Sequence, residues 1–217
     1  MAGVFITFEG PEGSGKSTQI RLLAERLLAS GLEVVETREP GGTPAGEAIR
    51  SLLQHDAVGE GLCATAETLL FEASRAQLVH AVIRPALARG AVVLCDRFAD
   101  STTAYQGYGR GFDPDALLAL HAFAVDTCWP ACTVLLELSP SVGLARIASR
   151  GGGSSAPDRM EREALAFHER VAEGYRSLVA REPSRFRVVD ASGTIKDVQA
   201  GVWEAVRGCI SGRDCAG

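Results

Sequence analysis

Along this chain, short and nearly continuous apolar runs alternate with stretches in which apolar residues recur every three or four positions. Val4-Phe5-Ile6-Thr7-Phe8 opens the pattern as a strand rich in β-formers. Residues 18–30 follow as a helix whose stripe is Ile20, Leu22, Leu23, Leu27 and Leu28, with Gly31 marking its end. Residues 32–37 read as a second strand. Thr43-Pro44, a capping residue followed by proline in the first helical position, opens a helix to about Leu53. After a polar loop over 55–63, Thr65 is expected to cap a long helix with a stripe of Leu69, Leu70, Ala73 and Leu78, which Pro85 should kink before Gly90. Residues 91–95 and 133–138 are continuous apolar strands of the kind buried on both faces. Asp113-Pro114-Asp115 starts a helix that runs to Val125, and Ser139-Pro140 starts another. Residues 160–180 read as helix, 186–189 as the last strand and 194–210 as the last helix.

Strands alternating with helices predict an α/β fold with a parallel sheet covered by helices on both faces. The 217 residues show neither an internal repeat nor an interdomain linker, so one domain is expected. Gly151-Gly152-Gly153-Ser154-Ser155-Ala156-Pro157 interrupts two helical segments and reads as the centre of a mobile lid over about 146–160.

Composition narrows the function classes. A hydrophobic share of 46% suffices for a sizeable core, and a net charge of −5 without a basic stripe argues against a nucleic-acid partner. The six cysteines form no C-x-x-C pair, and Cys128 and Cys132 lack the neighbours of a zinc site. Cys95, inside an apolar run, reads as a small core residue. The first strand starts directly after Met1 with no basic leader, and the longest nearly apolar stretch, 116–125, is too short to span a bilayer. A cytoplasmic protein with reduced thiols and no membrane partner is expected.

The most informative segment is Gly10-Pro11-Glu12-Gly13-Ser14-Gly15-Lys16-Ser17, which fits G-x-x-x-x-G-K-[ST] and lies between a strand and a helix. Glycines let backbone amides wrap a polyphosphate, and the helix N-terminus adds partial positive charge. Lys16 supplies a mobile cation; it is one of only two lysines beside 20 arginines. Ser17 supplies a hydroxyl for Mg²⁺, and Thr18 completes the loop. The chain is expected to bind a nucleoside triphosphate.

In an open parallel sheet, ligands gather beyond the carboxyl ends of the strands. Arg38-Glu39 and Asp96-Arg97 fall at such ends. Asp96 matches a carboxylate that would hold Mg²⁺ together with Ser17. Arg38 and Arg97 exceed what one triphosphate requires and point to a second phosphate on an acceptor. Arg146, Arg150 and Arg159 flank the Gly-Ser run, where a closing loop could bring positive charge to a transferring phosphoryl group and exclude water. A guanine-nucleotide switch is disfavoured, because its N-K-x-D motif needs an asparagine and the chain contains none.

Five blocks carry a more specific likeness: FEGPEGSGKST (8–18), TREPGGTPAGE (37–47), LLFEASRAQLV (69–79), DRFADSTTAYQGYGRG (96–111) and DRMERE (158–163). In these the chain resembles bacterial thymidylate kinases, from Val4 to the last helix. The resemblance implies a P-loop kinase fold with a five-stranded parallel sheet and a lid. It implies transfer of the γ-phosphoryl group of ATP to dTMP with Mg²⁺, and a homodimer. Glu12 would accept from the sugar 3′-hydroxyl, Phe71 would stack on thymine and Arg75 would donate to a base carbonyl. Thr102 would lie at the base edge, Tyr105 against the 2′ position and Gln106 in the same loop. Arg97 and Arg38 would hold the acceptor phosphate. By residue pattern alone Phe71 reads as core, since it lies on an apolar stripe. Family members with an arginine in the P-loop differ from those with glycine there and arginines in the lid; Gly13 puts this chain with the second group. Its longer Gly-Ser-Pro insert leaves Arg150 and Arg159 both as candidates for the transferring phosphoryl. A nucleoside monophosphate kinase of different base preference is the remaining alternative.

Overall fold

The structure, a computed structural model, describes residues 3–54, 59, 61–150 and 159–211. Five strands, β1 (Val4–Glu9), β2 (Val34–Arg38), β3 (Val92–Asp96), β4 (Cys132–Glu137) and β5 (Phe186–Asp190), form one parallel sheet in the order β2-β3-β1-β4-β5. The helices are α1 (Lys16–Ala29), α2 (Pro44–Gln54), α3 (Ala64–Leu78), α4 (Arg84–Ala88), α5 (Ala99–Thr102), α6 (Pro114–Val125), α7 (Pro140–Arg150), α8 (Leu165–Arg181) and α9 (Ile195–Ser211).

The strand period of two sorts β1 between two cores. Val4, Ile6 and Phe8 pack with Ile20, Leu23 and Leu27 of α1 and Val202 and Val206 of α9. Phe5 points the other way, among Leu78, Ile83, Val93 and Phe98. A third cluster joins Tyr105 to Phe167, Val171 and Tyr175 of α8. Register then gathers the chemistry at one edge: Phe8 pairs with Asp96, and Asp96 with Arg38, so the ends of β1, β2 and β3 lie side by side.

Capping chemistry explains several boundaries. Asp113 accepts the Asp115 amide at 3.0 Å and starts α6. Thr43 accepts the Gly46 amide at 3.0 Å and starts α2. Three sequence expectations need correction. Thr65 is not a cap, because α3 already begins at Ala64. Residues 160–163 form a turn, so the helix expected from Met160 begins at Leu165. The stripe on α3 does not face inward as a whole: Leu69 and Ala73 are exposed, whereas Glu67, Thr68, Glu72, Ser74 and Arg75 are buried. Near Pro85, where a kink is expected, the chain runs through a π-helical turn over Val79–Ile83, after which Pro85 sits in the first turn of α4.

The pattern did not announce α5 or the π-helical turn Thr103–Gly109 that follows it. Threonines and glycines there are weak helix formers; the segment is held from outside. A side chain at Gly109 would strike the Phe167 ring, with its Cβ 2.6 Å from the ring, so glycine lets α8 approach closely. The centre of the expected lid, 151–157, and the Arg150 side chain lie outside the described residues.

Candidate active site

The P-loop leaves β1 with Gly10, Gly13 and Gly15 at φ of 137°, 71° and 91°, a region that favours glycine. Close approach adds a second constraint. A Cβ at Gly10 would lie 2.5 Å from the Leu136 carbonyl oxygen, and one at Gly13 2.3 Å from that of Gly143 in α7. A P-loop arginine in place of Gly13 is therefore excluded by the backbone of α7. Lys16 is buried and donates to the Gly10 and Pro11 carbonyls at 3.1 and 3.2 Å. Burial and the neighbouring Arg97 charge push its ammonium below the ordinary lysine value. Ser17 Oγ donates to Asp96 Oδ2 at 2.7 Å. These groups, with Thr18, Arg38 and Arg97, line a cavity of about 870 Å³.

Arg97 is the hub of the site. Its backbone is left-handed, with φ of 69°. Nη2 lies 2.6 Å from Glu12 Oε1 and 3.1 Å from the Tyr105 hydroxyl. Nη1 donates to Ser101 and Tyr175 hydroxyls at 3.1 and 3.3 Å and to the Gly10 carbonyl at 3.3 Å. Tyr105 in turn donates to Glu12 at 2.9 Å. Burial works against ionisation of Glu12, but the charges of Arg97 and Lys16 outweigh it and hold the carboxyl below its usual range. Burial, reinforced by Glu12, pushes the Tyr105 phenol well above its usual value. Beneath this group lies Glu9, wholly buried, which accepts from the Phe98 amide at 2.7 Å, Ser101 at 2.6 Å and Tyr175 at 2.8 Å.

A second cleft, of about 430 Å³, is lined by Phe71, Arg75, Thr102, Tyr105, Gln106 and Met160. It shares Glu12, Glu39 and Arg97 with the phosphate cavity. Arg75 is 1% exposed and donates to Glu39 at 2.9 Å, to the Phe98 carbonyl at 3.2 Å, to Thr102 Oγ1 at 2.9 Å and to Glu72. Gln106 donates to Glu67 at 2.9 Å. Phe71 is half-buried and faces this cleft rather than the core.

Most of the residues singled out in the sequence thus meet around two adjoining cavities. Arg38 lines the phosphate cavity while paired with Glu47 at 2.9 Å. Arg159 stands apart: it donates to Glu67 and to the Leu53 carbonyl at 3.1 Å, and lines a separate pocket with Arg110 and Glu163. One residue escaped sequence reasoning. Arg50 of α2 lines the phosphate cavity and donates to the Pro40 carbonyl at 3.0 Å; it has no local signal in the sequence beyond its position on an element that leads to the site. Arg146, singled out beside the Gly-Ser run, instead donates to the Ala191 carbonyl at 3.0 Å and lines another cleft, of about 700 Å³, with the P-loop residues Gly13 to Gly15, Thr18 and Thr194.

Comparison with known proteins identifies the family. A family model described as thymidylate kinase matches residues 8–202. The chain is 51% identical over 207 residues to the thymidylate kinase of Nitrobacter hamburgensis, covering 95% of this chain and 89% of that one. It is 50% identical over 202 residues to that of Thermomicrobium roseum, covering 93% of each. The crystal structure of thymidylate kinase from Ehrlichia chaffeensis matches with a TM-score of 0.76 at 33% identity, over 95% of this chain and 99% of that one. With the five-stranded parallel sheet and the P-loop at the carboxyl end of its central strand, these similarities establish that the chain belongs to the thymidylate kinase family.

Proposed function

We propose that the protein transfers the γ-phosphoryl group of ATP to dTMP, giving dTDP and ADP for dTTP synthesis. The observation that carries this reading is the shared wall: Glu12 and Arg97 line both the P-loop cavity and the aromatic cleft. A nucleotide whose base enters the cleft between Phe71 and Gln106 brings its phosphate to Arg97, next to a triphosphate held by Lys16 and the P-loop amides. An acceptor phosphate oxygen then attacks the γ-phosphorus as the bond to the β-γ bridging oxygen breaks. Such a transfer needs positioning and positive charge more than covalent help, and the acceptor is already anionic at neutral pH. Arg97 and Arg38 hold the acceptor phosphate, and Lys16 the donor. Glu12, kept ionised, accepts from the sugar 3′-hydroxyl, and Tyr105 packs beside it against the 2′ carbon, where its ring excludes a ribose hydroxyl. Thr102 and Arg75 face the base edge. The cleft beside Arg146 has room for the donor nucleoside.

The Ser17 hydroxyl and Asp96 carboxylate, side by side at the cavity mouth, suit a small hard cation that keeps phosphate and water as its other ligands. Ser17 and Asp96 would hold Mg²⁺, which would supply charge neutralisation for the donor triphosphate. The charge on the transferring group is further met from the lid, about 146–160, with Arg150 and Arg159 as candidates; for Arg159 this requires release from Glu67. The chain works as one kinase domain, and as a homodimer: the packed pair α3 and α6 exposes Leu69, Leu118 and Phe123, the last 92% exposed. Among the described residues no helix is long and apolar enough to cross a membrane, and Cys63, Cys95, Cys128, Cys132 and Cys209 are free thiols. Both fit work in the cytoplasm on soluble substrates.

The test is ADP release with dTMP, dUMP, UMP, CMP, AMP and GMP in parallel. Fastest turnover with dTMP is expected. A preference for CMP, AMP or GMP would overturn the base assignment and favour a monophosphate kinase of another specificity.

A further inference from the structure

Glu72, Arg75, Thr102 and Thr103 are bound together by one residue that lines neither substrate cavity, His121 of α6. It is 2% exposed, yet both ring nitrogens have partners: Nδ1 lies 2.9 Å from Glu72 Oε1, and Nε2 lies 3.0 Å from Thr103 Oγ1. The ionised Glu72 only accepts, so Nδ1 carries a proton and donates to it. Arg75 Nη1 donates to the same Oε1, while the second oxygen of Glu72, among the described residues, has no hydrogen-bond partner. The carboxylate is therefore pinned by two donors on one oxygen. Without His121 it is free to turn about its side-chain bond and take the Arg75 fork with it. The Thr103 contact acts from the other side and orients the ring. The rest of the ring faces a surface crevice beside Asp100, Trp129 and Arg181, and Arg75 Nη1 itself lies 3.5 Å from Nδ1.

We infer that His121 is a positioning residue for recognition of the acceptor base, setting the Arg75 guanidinium through Glu72 while the Thr103 contact only orients the ring. This rests on the reading of Arg75 as the group that meets the base. A hydrogen bond to a charged group is worth enough to matter once its partner is buried and cannot turn to water.

The two nitrogens can be tested separately, because asparagine places its amide near Nδ1 and glutamine near Nε2. His121→Ala and His121→Gln should raise KM for dTMP about tenfold, leave KM for ATP unchanged and keep turnover at saturating dTMP within about twofold. His121→Asn, which can still donate to Glu72, should restore KM for dTMP. Unchanged KM for dTMP in the alanine and glutamine variants overturns the inference. So does an equal rise in both KM values with a falling Tm, since that marks a merely structural histidine. Arg75→Ala separates the two levels. If it raises KM for dTMP while the His121 variants do not, the relay alone is wrong. If it too leaves dTMP binding intact, the reading of Arg75 fails and the relay with it.

Discussion

Removing Arg97 tests backbone, electrostatics and substrate recognition in one series. The residue sits at φ of 69°, where a side chain costs about 1–2 kcal/mol relative to glycine. It also neutralises Glu12 at 2.6 Å, in a pair only 16% and 18% exposed. Taking one partner from such a pair costs about 3 kcal/mol, the lower end of the range for buried pairs, because Tyr105 and Lys16 still attend Glu12. Arg97→Ala should therefore lose about 3 kcal/mol in urea denaturation. Arg97→Gly loses the same charge but relieves the left-handed strain, and should be the more stable of the two by about 1 kcal/mol. Both should lower kcat/KM for dTMP by a factor of about 10²–10³, equivalent to one preorganised donor, with a smaller effect on KM for ATP. Arg97→Lys should fall between, since an ammonium cannot span Glu12, Tyr105 and a phosphate as a planar fork does. A glycine variant no more stable than the alanine one would refute the strain argument. Wild-type kcat/KM in both would remove Arg97 from the acceptor site.

Lys16→Ala should keep its fold and raise the barrier by about 3–4 kcal/mol, and near-normal turnover in that variant would sink its role at the donor phosphates. Gly13→Ala should weaken ATP binding and cost about 1–3 kcal/mol of stability, because the added Cβ lies 2.3 Å from the Gly143 carbonyl oxygen; unaltered ATP titrations would show that α7 yields freely. Glu9 is pushed up to about 7 by burial and by Asp100, so the folded protein holds this proton more tightly than the unfolded chain does. Its stabilising contribution is complete below the unfolded value near 4.5 and is lost as pH rises through about 7, a span worth about 3 kcal/mol. Relative to Glu9→Gln, the wild type should gain Tm as pH falls from about 8 to 5, and a flat or opposite difference would refute the assignment.

The sheet was legible because each strand is a short apolar run, and a parallel sheet buried on both faces needs nothing more distinctive. The P-loop was legible because its backbone geometry admits few residue types, as Gly10 and Gly13 show. What hid was the inward face of α3. There Glu67, Glu72 and Arg75 are buried in mutual pairs while Leu69 and Ala73 look outward, which inverts the rule that apolar residues mark the core. Phe71 shows the same inversion: periodicity assigns it to the core, but its neighbours put it in a ligand cleft. The turn over Thr103–Gly109 also hid, since its helical form depends on Phe167 and Tyr175 of α8 rather than on local propensity. Charge partners were the least legible. Nothing in the spacing of Arg159 and Glu67 marks them as a pair, and nothing around Arg50 marks it as part of a phosphate cavity.

The account stands on direct transfer between two nucleotides that meet at Arg97 and Glu12. Incubation with γ-³²P-labelled ATP, dTMP and Mg²⁺, followed by separation of the nucleotides, reads that transfer itself. The label should appear in dTDP, at a rate matching ADP release, and should vanish from it when dTMP is omitted. Label recovered instead as inorganic phosphate at the same rate with or without dTMP would contradict the account, because the two cavities would then not bring donor and acceptor together.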